Sequence, residues 1–295
     1  MALFSSIKDY SSGRRRLLKA GFWGAAGLAL YSGEIARHWV EVVESDVKLA
    51  GLPRVFDGMR IVQLSDFHLD AWSEPYFIRQ VVERVNRMEP DVVVLTGDFA
   101  TDGFGTKNYQ HGAARQCAQV LSGLHCNERY AVLGNHDIGV GREEVGRPLK
   151  ENGIPVLRNE CVPLKRGSEK IWLSGVDDPV LGHPNLDQAI PYSIRNVPDE
   201  PVVLMCHAPD YADTVLKHES GASVGLMLSG HTHGGQVRLP MLGALELPEL
   251  GKKYVEGMFQ LGAMHLYVNR GIGTIGLPFR LNCPPEITVL TLRAG

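Results

Sequence analysis

Five short apolar runs in this chain each end in residues of metal-ligating or acid–base type. Met59–Ser65 leads into Asp66-Phe67-His68, and Asp91–Thr96, mostly valine and leucine, leads into Gly97-Asp98. Tyr130–Leu133 is followed by Gly134-Asn135-His136-Asp137. Pro201–Cys206 is followed by His207, and Val224–Ser229 by Gly230-His231-Thr232-His233-Gly234-Gly235. Such runs read as buried strands, and a run without alternation fits a sheet covered on both faces. Between them, Glu74–Met88 carries Phe77, Val81, Val82 and Val85 at helical spacing. Strands alternating with helices make the body α/β. Ala113–Leu124 and Glu143–Asn152 read as further helices. Trp39–Leu49, Ile154–Val162, Lys170–Gly175, Met264–Asn269 and Ile287–Leu292 read as further strands, and Gln236–Glu246 as loop.

In α/β sheets ligands bind at the carboxyl ends of strands. A single Asp after a strand is commonly a turn or a helix cap. Five polar sets in one phase are not explained by turn chemistry. Neutral imidazole is the commonest protein metal ligand, and the glycines around His231 and His233 let two rings approach a common point.

A chain of 295 residues suffices for one large domain or two small ones. Its formal net charge of −3 gives no electrostatic case for a nucleic-acid partner. The five cysteines (Cys117, Cys126, Cys161, Cys206 and Cys283) are odd in number and contain no Cys-x-x-Cys pair. They indicate neither a disulfide framework nor a thiolate zinc site, although a Cys117–Cys126 bridge stays open.

The N-terminus reads as an address. Lys8, Arg14, Arg15, Arg16 and Lys19 precede Ala20–Gly33, which is apolar and uncharged until Glu34. That run is shorter than the ~20 residues of a comfortable span and fits the core of an export signal. Arg14-Arg15-Arg16-Leu17-Leu18-Lys19 resembles a twin-arginine motif, with Gly13 and Leu17 departing from its usual residues. Leu30 and Tyr31 stand where cleavage wants small residues, so a retained anchor and a cleaved signal are both open. Preceding positive charge places the N-terminus in the cytoplasm. The expected division is an export signal or membrane anchor over 1–44 and a catalytic domain over 45–295. The expected location is the inner membrane or the periplasm and cell envelope, with the membrane and the twin-arginine translocase as partners.

The ordered blocks Asp66-x-His68, Gly97-Asp98, Gly134-Asn135-His136-Asp137, His207 and Gly230-His231-x-His233 resemble the calcineurin-like metallophosphoesterases. The tail (Asn269–Gly273, Gly276–Arg280, Asn282–Ile287) and the leader look like the YkuE/YaeI-type branch, membrane-tethered or twin-arginine-exported. That branch is similar to LpxG-type UDP-2,3-diacylglucosamine pyrophosphohydrolases. The resemblance implies a four-layer α-β-β-α sandwich with two mixed β-sheets, of the metallo-dependent phosphatase type. It implies one metal on Asp66, His68 and His233, another on Asn135, His207 and His231, and Asp98 between them. His136 would be the catalytic histidine over the phosphate, protonating the leaving oxygen.

Two divalent cations ~3.5–4 Å apart neutralise phosphoryl oxygens and lower the pKa of a shared water. The neutral amide of Asn135 keeps such a site positive. The oxygen donors favour Mn²⁺, while the imidazoles admit Fe, Zn, Co or Ni. The implied reaction is hydrolysis of a phosphodiester or pyrophosphate, with a lipid-linked ester such as UDP-2,3-diacylglucosamine as substrate. The alternative is an exported phosphodiesterase acting on envelope phospholipid or polymer. A non-catalytic metal-binding scaffold is disfavoured because no ligand is missing and His136 is present. Arg238, Lys252, Lys253, Arg270 and Arg280 are candidate phosphate-binding cations, and Pro240–Leu245 and Gly276–Phe279 are apolar loops suited to acyl chains or a bilayer.

Overall fold

The structure is a computed structural model describing residues 2–295, with side chains described from Arg14 onward. The side chain of Lys8 lies outside that range.

In chain order the strands are β1 (Glu41–Leu49), β2 (Arg60–Leu64), β3 (Val92–Leu95), β4 (Arg129–Ala131), β5 (Glu160–Arg166), β6 (Glu169–Gly175) and β7 (Val202–Met205). They continue with β8 (Val224–Ser229), β9 (Arg238–Leu239), β10 (Gly243–Ala244), β11 (Gly257–Leu261), β12 (Met264–Val268) and β13 (Glu286–Ala294). The helices are α1 (Ala2–Leu30), α2 (Pro75–Asn86), α3 (Lys107–Leu121), α4 (Asn135–Val140), α5 (Arg142–Glu151), α6 (Leu186–Ala189) and α7 (Ala212–Lys217).

One sheet has the order β1-β13-β2-β3-β4, the other β11-β12-β8-β7-β6-β5. Both are mixed. β13 runs parallel to β1 and antiparallel to β2, while β5 and β11 are the antiparallel edges of the second sheet. The period of two sorts each strand's side chains between faces. Ile61, Val92 and Val94 point inward and meet Leu173, Val203 and Leu226 of the second sheet. Their neighbours Val62, Val93 and Leu95 point outward beneath Phe77, Val81, Ala114 and Leu121 of α2 and α3. On the far side Val202, Leu204 and Met227 are covered by Ala189, Ala212 and Val215. The result is the expected α-β-β-α sandwich. The valine run of β3 is thus explained, because both of its faces are dry.

Several details differ from the sequence reading, and the helix expected over Ala113–Leu124 runs from Lys107 to Leu121. The strand expected over Ile154–Val162 begins only at Glu160, and Val156 makes a single isolated bridge to Ala131. The region Gln236–Glu246 contains the two-residue ribbon β9–β10. Strand β11 had no periodic signal, because four of its five residues are half-buried rather than alternating. The cysteines are free thiols, Cys117 and Cys126 included.

Helix α1 continues as a π turn over Tyr31–Ile35 and a 3₁₀ turn over Ala36–His38. Its Leu17, Phe22, Trp23 and Leu28 are exposed. Among the described residues no helix is long and apolar enough to cross a membrane. The first sheet takes in Glu41–Glu44, four residues assigned to the leader on sequence grounds.

Candidate active site

The loops leaving β2, β3, β4, β7 and β8 converge on one edge of the two sheets. They bring together all eight residues singled out above. Ligand atoms of Asp66, His68 and His233 lie within 4.8 Å of one another, as do those of Asp98, His207 and His231. His68, Asp98 and His136 form a third such group. Asp98 stands between the first two groups, with Oδ2 3.4 Å from His68 Nε2 and 3.1 Å from His207 Nε2. His233 Nε2 is 3.5 Å from Asp66 Oδ1. Asn135 opens α4 and lines the same cavity of about 460 Å³ as His68, Asp98, His136, His231 and His233.

The backbone is bent to achieve this. Asp66, His68, Asp98, His231 and His233 all have φ between +44° and +72°. That left-handed region is uncommon for side-chain-bearing residues and costs of order 1–3 kcal/mol each. Cross-loop hydrogen bonds hold the bends. Asp66 N donates to Gly97 O at 2.9 Å and His68 N to Asp98 O at 3.0 Å. His231 N donates to the Asp66 carboxylate at 3.0 Å. Gly97 must be glycine here: its φ is +101°, and a Cβ would stand 2.6 Å from Gly134 N and 2.8 Å from His207 Nδ1.

Hydrogen bonds also settle the tautomers. His207 Nδ1 donates to Thr96 O at 2.6 Å, leaving Nε2 as the lone pair facing the cluster. His231 Nε2 donates to Glu249 O at 2.7 Å, leaving Nδ1 as its lone pair, 3.2 Å from His207 Nε2. Thr101 Oγ1 donates to Asp70 Oδ2 at 3.0 Å and accepts from His68 Nδ1 at 3.3 Å, so His68 Nε2 is a lone pair too. Carbonyl and carboxylate partners that orient an imidazole in this way are the usual surroundings of a metal-binding histidine.

His68 Nε2 and Asn135 Oδ1 are buried without any hydrogen-bond partner. Leaving buried polar atoms unpaired is costly, and cations at the two adjoining points would satisfy them. The donor set therefore fits two divalent metals.

The electrostatics agree. Burial, helped by the His207 charge, lowers His231 to about 4, so its ring is neutral at pH 7. Burial opposes the charge of Asp98, but His207 and His136 outweigh it and hold that carboxyl well below the usual range. Burial likewise opposes charge on His207, yet Asp98 and Asp66 raise it well above an ordinary histidine. The same lone pair that attracts a proton there attracts a cation.

Asp137 was read only as the end of the Gly-Asn-His-Asp block. Its carboxylate accepts from Asp98 N at 2.7 Å, Phe99 N at 2.8 Å, Ala100 N at 3.4 Å and Gly134 N at 2.9 Å. It ties the Asp98 loop to the start of α4. Its place at the third position of that helix is a capping signal visible in sequence. Burial and the Asp98 charge push its carboxyl up to about 7, against those four donors. Asp137→Ala is expected to cost about 3 kcal/mol or more, since each buried donor left unpaired costs about 1–3 kcal/mol. Urea unfolding measures this, and a loss under about 1 kcal/mol would show that the loops hold themselves.

Four of the five candidate phosphate-binding cations are engaged elsewhere, and Lys252 is exposed. Arg280 is fully buried and donates to the carbonyls of Arg270, Gly271, Gly273 and Cys283. Arg270 pairs with Glu41 at 2.8 Å and with Glu286. Arg238 pairs with Glu256 and Lys253 with Asp213.

A four-layer α-β-β-α protein whose strand ends gather oxygen and imidazole donors around two adjoining points belongs to the metal-dependent hydrolases. Residues 59–235 match the family described as Calcineurin-like phosphoesterase, and the chain belongs to that family. It is a metallophosphoesterase with candidate ligands for divalent metals. It is 36% identical over 294 residues to the metallophosphoesterase YkuE of Bacillus subtilis, covering 98% of each chain. It is 33% identical over 289 residues to the phosphodiesterase YaeI of Escherichia coli, covering 95% of this chain and 98% of that one. A transmembrane protein with metallophosphoesterase domain from Danio rerio is 30% identical over 279 residues, or 91% of this chain and 61% of that one.

Proposed function

We propose that the chain hydrolyses a phosphodiester or pyrophosphate bond at a dinuclear metal centre. Asp66, His68 and His233 would hold one ion, Asn135, His207 and His231 the other, and Asp98 would be shared between them. The observation that carries this reading is the place of Asp98 Oδ2, within 3.4 Å of one histidine from each group. Bound divalent ions would supply Lewis acidity toward the phosphoryl group and an acidified water for attack. Mn²⁺ suits the carboxylate and amide oxygens of the donor set, and Fe, Zn, Co and Ni are the alternatives that its imidazoles admit.

His136 Nδ1 accepts from Asp102 N at 3.3 Å, so the neutral ring carries its proton on Nε2. It lines the cavity and is the donor there for a phosphoryl or leaving oxygen. Arg238, Lys253, Arg270 and Arg280 are engaged elsewhere and Lys252 does not line the cavity, which leaves His136 as the donor that does.

The substrate is a lipid-linked phosphoester such as UDP-2,3-diacylglucosamine. The far wall of the cavity, Val237, Leu245, Pro248, Ile275 and Leu277, supports this reading, as do Met241 and Leu242, exposed on the ribbon beside it. An acyl chain would have an apolar path from the metal centre to the surface. The basic and apolar leader supports membrane attachment after delivery by the twin-arginine translocase, at the inner membrane or in the envelope. The name of the Danio rerio relative, a transmembrane protein, accords with that. A body placed outside the cytoplasm favours the second substrate reading, an envelope phospholipid or polymer.

The test compares UDP-2,3-diacylglucosamine, a phospholipid and a bis-aryl phosphodiester on the full-length, Mn²⁺-loaded chain. Faster turnover of the two lipid esters is expected, and equal turnover of all three would remove the acyl-chain reading. No turnover with two ions bound would point to a scaffold.

A further inference from the structure

We propose that the root of α1, Ser32–His38, is a working part of the metal site, clamping the two loops that place Asp66 and His68. The proposal rests on the ligand assignment above. While the described side chains of α1, Arg14 to Leu30, stand exposed, Ser32, Gly33, Ala36 and Arg37 are buried against the body. The hydrogen bonds of this root to the body fall on one of two loops, while the His38 ring also packs edge-on against Phe77 of α2 with centroids 4.9 Å apart.

The first loop runs from Asp66 to Glu74. Arg37 donates from Nη1 to Trp72 O, and from Nη2 to Glu74 Oε1 at 3.0 Å, while Nε donates back to Gly33 O. His38 Nε2 stands 3.2 Å from Glu74 Oε2. Behind Trp72 the chain is tied to a ligand. Asp70 Oδ1 accepts from Trp72 N at 2.7 Å and Ser73 N at 3.0 Å. Asp70 Oδ2 receives the Thr101 hydroxyl that faces His68 Nδ1. A path of hydrogen bonds therefore joins Arg37 to the ring of His68.

The second loop runs from Arg270 to Arg280. Arg280 N donates to Ser32 O at 3.0 Å. A Cβ on Gly33 would lie 2.9 Å from the Phe279 ring, so the root packs closely against Phe279. The buried Arg280 guanidinium gathers the carbonyls of Arg270, Gly271 and Gly273. Ile272 N and Gly273 N then donate to Ser65 O at 2.9 Å and Asp66 O at 2.7 Å. This second path ends on the backbone of Asp66.

Both paths lead to the Asp66–His68–His233 position. The hydrogen bonds that orient His207 and His231, to Thr96 and Glu249, lie outside them. Asp66 and His68 have positive φ, a conformation that persists only where surrounding contacts over-determine it. A buried arginine is costly unless its hydrogen bonds are made, and here they are spent on the ligand loop. It follows that a chain cut after His38 lacks the clamp, so the working protein retains its leader at least from Ser32 onward.

The test is metal titration of the full-length chain after chelation, reading each ion's affinity separately. Wild type should take up two ions. Arg37→Ala should weaken one ion by about tenfold, the lower end of the loss when a partner supporting a ligand is removed, and leave the other unchanged. Glu74→Gln should move the same ion by less, and decides the matter if Arg37→Ala does not fold. Trp23→Ala, on the exposed part of α1, should change neither. Two wild-type affinities in Arg37→Ala, or equal weakening of both ions, overturn the clamp alone. Failure of the wild type to bind metal overturns the ligand assignment and the clamp with it. The intact mass of the chain from its native cells is a second arm. An N-terminus at or before Ser32 supports the proposal, and a two-metal protein starting after His38 overturns it.

Discussion

Asp98→Asn is expected to leave a folded protein that retains neither ion at full occupancy and has lost nearly all turnover. The amide keeps the size and one acceptor oxygen of the carboxylate. Asp98 Oδ1 accepts from His136 N at 3.0 Å, and an amide oxygen can take over that bond. The charge is what disappears. Oδ2 lies between His68 Nε2 and His207 Nε2, where an amide would present either a weaker neutral oxygen or an NH₂ group that repels a cation. Removing an outer partner of a metal ligand typically costs ~10–100-fold in affinity, and loss of a shared charged ligand should exceed that at both positions. Metal analysis of the purified variant is the check, beside His233→Ala, which should weaken one ion only. Two retained ions in Asp98→Asn would end its bridging role. Thermal stability gives an independent reading, because an ion that binds only the folded state stabilises it by mass action.

Much of this site could be read without coordinates, for a physical reason. Metal-ligating residues are chosen by donor chemistry, so their side chains are visible as types. Buried strands such as Val92–Leu95 are short and uninterrupted, so the residues that follow them mark one edge of a sheet. Bonding partners carry no such mark. Arg280 in sequence is a surface-type cation near a phosphate site, yet it is fully buried and serves backbone carbonyls. Arg238 and Lys253 are spent on Glu256 and Asp213, residues 18 and 40 positions away. Thr96 and Glu249 orient two histidines through main-chain oxygens, which every residue possesses. Ile154–Val162 is apolar enough for a strand, but its first half crosses between the two sheets and pairs only at Val156. The root Ser32–His38 reads as the tail of a leader because its role depends on loops about 40 and 240 residues further along the chain.

His136→Ala should keep the fold and both ions while losing at least about two decades of turnover, the lower part of the range for general acid catalysis. The metals should stay because the histidine's structural tie is made by its backbone. His136 N donates to Asp98 Oδ1, and alanine keeps that N–H. The ring itself is placed by Asp102 N on its Nδ1 side and packs edge-on against His68, with ring centroids 4.8 Å apart. Burial lowers its pKa against the pull of Asp98, which makes the protonated ring a stronger acid. A loss confined to kcat would place the interaction in the transition state, and a rise in KM alone would make it simple binding. Leaving groups separate two ways of acting in the transition state. If the ring protonates the departing oxygen, a phenol of low pKa that needs no proton should recover most of the lost rate. If the ring only stabilises phosphoryl charge, the defect should be equal for all leaving groups. Unchanged turnover in a two-metal His136→Ala protein would remove the residue from the mechanism.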